Sequence, residues 1–140
     1  MKVRIGPYRK NRAFNIEIEP FDTWSMDHTL APIILPMLIQ LQETKHGSPF
    51  VDNEDVPEEL RMPDGWYESE YNKNGETDEK FHERWDYVLD EMIYAFDCKA
   101  NKDDVYMRFD IKARDAMDKE QDRISNGFRL FGKYYENLWD

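Results

Sequence analysis

The sequence predicts an α+β protein: a short N-terminal β-hairpin packed on about three helices, with a long acidic loop after the first of them. Three observations carry this. Phe14, Ile16 and Ile18 alternate with Asn15, Glu17 and Glu19, the two-residue period of a half-buried strand. Apolar residues recur at spacings of three and four through Leu30–Leu41 and again through Phe81–Phe96, the period of a helix with one buried face. Between those runs, residues 48–76 show no period and are rich in Pro, Gly, Asn, Asp and Glu.

In chain order, residues 2–5 and 13–19 read as strands, joined by the basic stretch Pro7 to Arg12 and closed by Pro20. Asp22, Ser25 and Asp27 are candidate caps for the first helix. Leu30, Ile33, Ile34, Met37, Leu38 and Leu41 share its apolar face, which Leu35 and Ile39 widen almost all round, so this helix is expected at the centre of the core. Pro32 suits a first turn, whereas Pro36 should kink the helix or delay its start. Lys45-His46-Gly47 reads as its end, with basic residues on the last turn and Gly after it. The 48–76 loop is expected to hold one short helical turn near Val56–Arg61, pinned by Trp66, Tyr67 and Tyr71. A second helix is expected over about 77–96, with Phe81, Trp85, Val88, Leu89, Met92, Ile93 and Phe96 as its stripe. Val105–Phe109 fits either strand or helix. A third long helix is expected over about 111–138, where Met117, Ile124, Phe131 and Leu138 recur every seventh residue. Gly127 inside it costs about 1 kcal/mol relative to Ala, which points to close packing at that position.

Length and composition fit one domain spanning residues 1–140. Apolar residues make up 40%, enough to build a core in a chain that is 35% charged. The single cysteine, Cys98, excludes an intramolecular disulfide and fits a cytoplasmic setting. The first residues lack the apolar stretch of a signal peptide. The longest apolar run, Ile33–Ile39, is too short to span a membrane.

Charge is unevenly placed. Residues 1–13 hold five bases and no acid, while residues 51–79 hold eleven acids and two bases. The net charge of −11 and the absence of a large basic face exclude broad binding to a nucleic-acid backbone. A small anionic ligand at the basic edge fits the pattern. Arg4, Arg9, Lys10 and Arg12 supply phosphate donors, Tyr8 and Trp24 supply stacking faces, and Ser25 and His28 stand at the start of the first helix. The competing reading pairs these bases with residues 51–79, within one chain or between chains.

Other chemistries are thinner. His82, Asp86 and Asp90, at i, i+4 and i+8 of the second helix, share a face as weak metal-ligand candidates, against the simpler reading of a solvated face. Asp22, Asp27 and His28 form another such cluster at the entry to the first helix, against the simpler reading of helix capping. Asp52-Asn53-Glu54-Asp55 lacks the glycine and final glutamate of a calcium loop. Cys98 stands near a helix C-terminus, which disfavours a thiolate. Ser25 has no nucleophile elbow around it, and the sequence contains no glycine-rich phosphate loop. No catalytic set, cofactor or metal is therefore expected, and a non-enzyme is favoured. The dense carboxylates of 51–79 offer an alternative, an acidic mimic that inhibits a host nucleic-acid enzyme. The heptad of the last helix offers an assembly surface, against the simpler reading of packing on the other two helices of its own chain.

Several stretches carry a resemblance. Phe21-Asp22-Thr23-Trp24-Ser25-Met26-Asp27-His28-Thr29-Leu30-Ala31, Lys45-His46-Gly47, Glu54-Asp55-Val56-Pro57, Trp85 to Ile93 and Asn126 to Tyr135 together resemble a family of small tailed-bacteriophage proteins with no known activity. The resemblance covers most of the chain outside the acidic loop and carries over no catalytic residue. It implies the cytoplasm of an infected bacterial host, and an accessory protein that counters host defence or redirects host machinery. The resulting expectation is a non-catalytic, self-associating protein that sequesters a small anionic ligand of the kind a nucleotide immune signal represents. A metal-dependent enzyme and a virion component are the remaining alternatives.

Overall fold

A computed structural model describes residues 1–69 and 75–140. Two antiparallel strands, β1 (Lys2–Ile5) and β2 (Phe14–Glu17), precede four helices: α1 (Met26–Thr44), α2 (Phe81–Asn101), the one-turn α3 (Val105–Arg108) and α4 (Arg114–Lys133). The architecture is α+β, with Val105–Arg108 resolved in favour of helix.

The strands pair Lys2 with Glu17, Val3 with Ile16, Arg4 with Asn15 and Ile5 with Phe14. Residues directly opposite each other in an antiparallel pair share a face. Val3, Ile5, Phe14 and Ile16 therefore make one apolar face, and Lys2, Arg4, Asn15 and Glu17 the polar one. All eight strand residues are exposed. The hairpin meets the helices at its base, where the Met1 amino group pairs with Asp22 at 2.8 Å and the 3₁₀ turn Pro20–Thr23 adjoins α1.

The helix α1 starts at Met26 behind Ser25, whose side chain makes no capping bond. Contrary to the expected kink or delay at Pro36, α1 runs unbroken past both Pro32 and Pro36 to Thr44. Both prolines are exposed while Ala31, Leu35 and Leu38 are buried, so packing against α2 holds the helix through the missing hydrogen bonds. The helix ends at Lys45 as expected, but without the expected basic last turn and glycine cap: Lys45 is itself the C-cap, and Gly47 does not take a left-handed backbone.

Central position belongs to α2, not α1. It packs against both α1 and α4 and buries Trp85, Val88, Leu89, Met92, Ala95 and Phe96. It begins at Phe81, later than expected, because Asp78 and Lys80 are engaged in a turn, and it continues to Asn101. Where α4 crosses α2, a Cβ at Gly127 would lie 2.5 Å from the Ala95 Cβ and closer still to the Glu91 carbonyl oxygen. Only glycine lets the two backbones approach this far.

The acidic stretch is a tethered belt. Among its described residues it contains three 3₁₀ turns, at Asn53–Asp55, Glu58–Leu60 and Trp66–Glu68, and it buries Val51 and Val56 in the core. The Asn53 side chain closes a ring with Met62, donating to its carbonyl at 3.1 Å and accepting from its N–H at 2.8 Å. Of the expected pins, Trp66 donates its indole N–H to the Glu76 carbonyl at 3.0 Å. Tyr67 remains half exposed beside Phe50, and Tyr71 lies outside the described residues.

Candidate functional site

The basic residues gather on the hairpin. Arg12 donates from Nε to the Gly6 carbonyl at 2.9 Å and lays its guanidinium 5.8 Å from the centre of the Phe14 ring. Arg4, Arg9 and Lys10 are exposed and have no ion-pair partner among the described residues. Tyr8, at the hairpin tip, is 92% exposed. Lys2 pairs with Glu17 at 3.3 Å.

The structure brings the eight candidate ligand residues into two groups. Tyr8, Arg9, Lys10 and Arg12 occupy the tip, with Arg4 on the strand leading to it. Trp24, Ser25 and His28 stand at the base, beside the Pro20–Thr23 turn. Four residues of strand, at about 3.4 Å each, separate tip from base. At the base, His28 Nδ1 lies 3.1 Å from the Lys99 carbonyl oxygen, and Asp27 pairs with Lys99 at 2.9 Å. That lysine's hydrogen bond holds the Asp27 carboxyl below its ordinary range. These contacts join α1 to the end of α2, so His28 has a structural task. Trp24 has none: its ring is 83% exposed.

The acidic segment does not neutralise the basic tip within one chain, among the described residues. Its inward carboxylates have other partners. Asp55 is buried against Lys133, Arg129 at 2.7 Å and the Tyr134 hydroxyl at 2.6 Å. Burial alone pushes the Asp55 carboxyl up, but these three hydrogen bonds outweigh it and hold it below the ordinary range. Burial, reinforced by Asp55, pushes the Tyr134 hydroxyl up to about 12. Asp78 forms a buried two-pronged pair with Arg84, which lowers its pKa, and Arg84 also donates to the Leu60 carbonyl at 3.0 Å.

The weak metal candidates are not assembled. His82 Nδ1 is hydrogen-bonded to Ser48 Oγ at 2.9 Å, Asp86 pairs with Lys45, and Asp90 accepts from Gln42 at 2.6 Å. The carboxylates that do converge among the described residues are Asp52, Glu54 and Asp55, and the Lys133 ammonium already sits among them. A cation there would have to displace a strongly held internal one. Cys98 is buried, 3.9 Å from Glu120.

Two surfaces escape a reading of single residues. One is the open apolar face of the hairpin. The other is an apolar groove of about 820 Å³ between α1 and the end of α4, lined by Ile34, Met37, Leu41, Phe131, Tyr135 and Leu138 among others. The α1 periodicity contained a signal for the second, since that face is wider than one neighbouring helix can cover.

Among the described residues, no helix is long and apolar enough to cross a membrane. Comparison with protein-family models, with curated proteins and with solved structures finds no match to this chain.

Proposed function

We propose that the protein is a non-catalytic accessory protein that binds a small phosphate-bearing ligand, of the nucleotide class, at the tip of its N-terminal hairpin. One observation carries the reading: Arg4, Arg9 and Lys10 project from the hairpin unpaired among the described residues, while the acidic segment directs its inward carboxylates to Lys133, Arg129 and Arg84. Unpaired guanidinium and ammonium groups beside an exposed tyrosine supply charge-assisted donors and a stacking face, the two requirements for a phosphorylated base. Nothing at the tip is arranged to perform chemistry: it has no carboxylate, histidine or cysteine between Met1 and Ile16. The resemblance to small phage proteins supports a role in the cytoplasm of an infected bacterium, where holding a nucleotide signal away from its receptor needs binding alone.

Calorimetry against linear and cyclic nucleotides tests this. Binding is expected for at least one phosphorylated member, with affinity falling about tenfold or more in Arg9→Glu/Lys10→Glu. Absence of heat with every member, or equal affinity in the double variant, overturns the reading.

A further inference from the structure

We propose that the apolar face of the N-terminal hairpin seats in the groove between α1 and α4 of a second copy of this chain. The inference rests on the face of the strands and not on the anion-binding tip, so it stands or falls separately from the function proposed above.

The first support is the hairpin itself. Val3, Ile5, Phe14 and Ile16 share one face by register, and Ile18 continues the alternation beyond β2. All five are exposed, with Phe14 at 65%. An isolated two-stranded sheet is marginal in water and needs a third strand or an apolar surface to rest on. Polar residues fill the opposite face, so the segregation has a direction: one face is built for burial and none of the described residues of its own chain buries it. Phe21 and Trp24, 80% and 83% exposed, stand beside the hairpin base and add uncovered aromatic surface there.

The groove supplies a matching receptor. Both α1 and α4 pack on α2, leaving a trough between them, and Met37 at its edge is 66% exposed. The trough lies along the second half of α1, whereas the hairpin departs from the first turn of that helix and is held there by the Met1–Asp22 pair. The occupant therefore comes from another copy.

Charge selects that occupant over two hairpins packed face to face. Residues 1–13 carry five bases and no acid, whereas residues 14–140 carry fourteen bases and thirty acids. Hairpin against hairpin brings like charges together, while hairpin against helices pairs opposite ones. Glu43 and Glu136 adjoin the groove residues Thr44 and Tyr135 in the chain, are exposed, and have no ion-pair partner among the described residues. Area is sufficient as well. Three aromatic rings covering roughly 150 Å² or more each, together with the aliphatic side chains, bring a reciprocal exchange of two arms near the ~1,600 Å² of a stable interface.

Sedimentation of the full chain, combined with disulfide trapping, tests the proposal. The wild type is expected to form a dimer or larger closed assembly. Ile16→Glu and Met37→Glu should each weaken it about tenfold or more with unchanged helical circular dichroism, since both positions are exposed. Mixing an Ile16→Cys chain with a Met37→Cys chain under oxidation should yield a linked heterodimer, which neither yields alone, the native Cys98 being buried. A monomeric wild type overturns the proposal. So does Ile16→Cys linking to itself, which places the hairpins face to face, or a doubly substituted chain closing on itself.

Discussion

Two buried acid–base clusters set how the side chains respond to pH and to substitution. Asp78 and Arg84 are both buried, and the pair anchors the acidic belt to α2 through Leu60. Removing one partner strands the other charge, so Arg84→Met is expected to cost about 3–5 kcal/mol, read as a lowered urea midpoint. The Asp78 and Asp55 carboxyls titrate below the ordinary value of 3.8 in the folded state. Groups depressed in this way contribute stability that is fully present above the unfolded-state value and is lost as pH falls through the folded one. Acid unfolding followed by circular dichroism should therefore begin below about pH 4, and Asp55→Asn should flatten that dependence. Tyr134 gives the opposite sign. Its hydroxyl is raised from 10.0 to about 12, so its contribution is complete below pH 10 and lost as pH rises through about 12. Gly127 is set by distance alone: Gly127→Val would place side-chain atoms inside the Glu91 backbone and is expected to unfold the α2–α4 contact.

Among the elements, α1 and the hairpin deserve opposite tests. Helix α1 carries Pro36 on an exposed position without ending there. Proline in a helix interior forfeits a hydrogen bond and crowds the preceding turn, at about 3 kcal/mol. Pro36→Ala should accordingly raise the thermal midpoint, the gain being about 1–3 kcal/mol. The hairpin buries no strand residue in its own chain. Deleting residues 2–18 should leave the monomer's unfolding midpoint in urea nearly unchanged, while removing both nucleotide binding and self-association. A large loss of helix stability on that deletion would show that the hairpin supports its own helices. The strand pair was legible because residues 14–19 alternate so cleanly. Its openness was not, because alternation reports that one face is apolar and says nothing about what covers it. For α2 the stripe was legible and its central place was not: a helix with neighbours on two sides and a helix with one differ in how the others are arranged around it, and only slightly in their own sequence.

At the level of the whole molecule, charge and shape are separated along the chain: a basic, two-faced hairpin at one end, and an acidic helical layer with an open trough at the other. That separation ties self-association to ionic strength. If hairpin and groove meet between copies, raising salt should weaken the assembly by screening the charge term while leaving the apolar term in place, a trend measurable by sedimentation. Of the candidate site, Arg4, Tyr8, Arg9, Lys10 and Arg12 could be placed together from their closeness in the chain. Trp24, Ser25 and His28 could not be placed relative to them, since adjacency in sequence does not say that four residues of strand stand between tip and base. The possible metal face of His82, Asp86 and Asp90 followed correctly from helical spacing, yet Ser48, Lys45 and Gln42, which engage these residues, come from a segment more than thirty positions away. Composition and periodicity were enough for the fold class, the helical stripes, the close approach at Gly127 and the basic character of the N-terminus, because each is a local property of residue type and spacing. Tertiary structure alone decided that the acidic belt turns Asp55 and Asp78 inward, that α1 passes both prolines, and that an apolar trough and an apolar hairpin face are left open, because each depends on which distant surfaces meet.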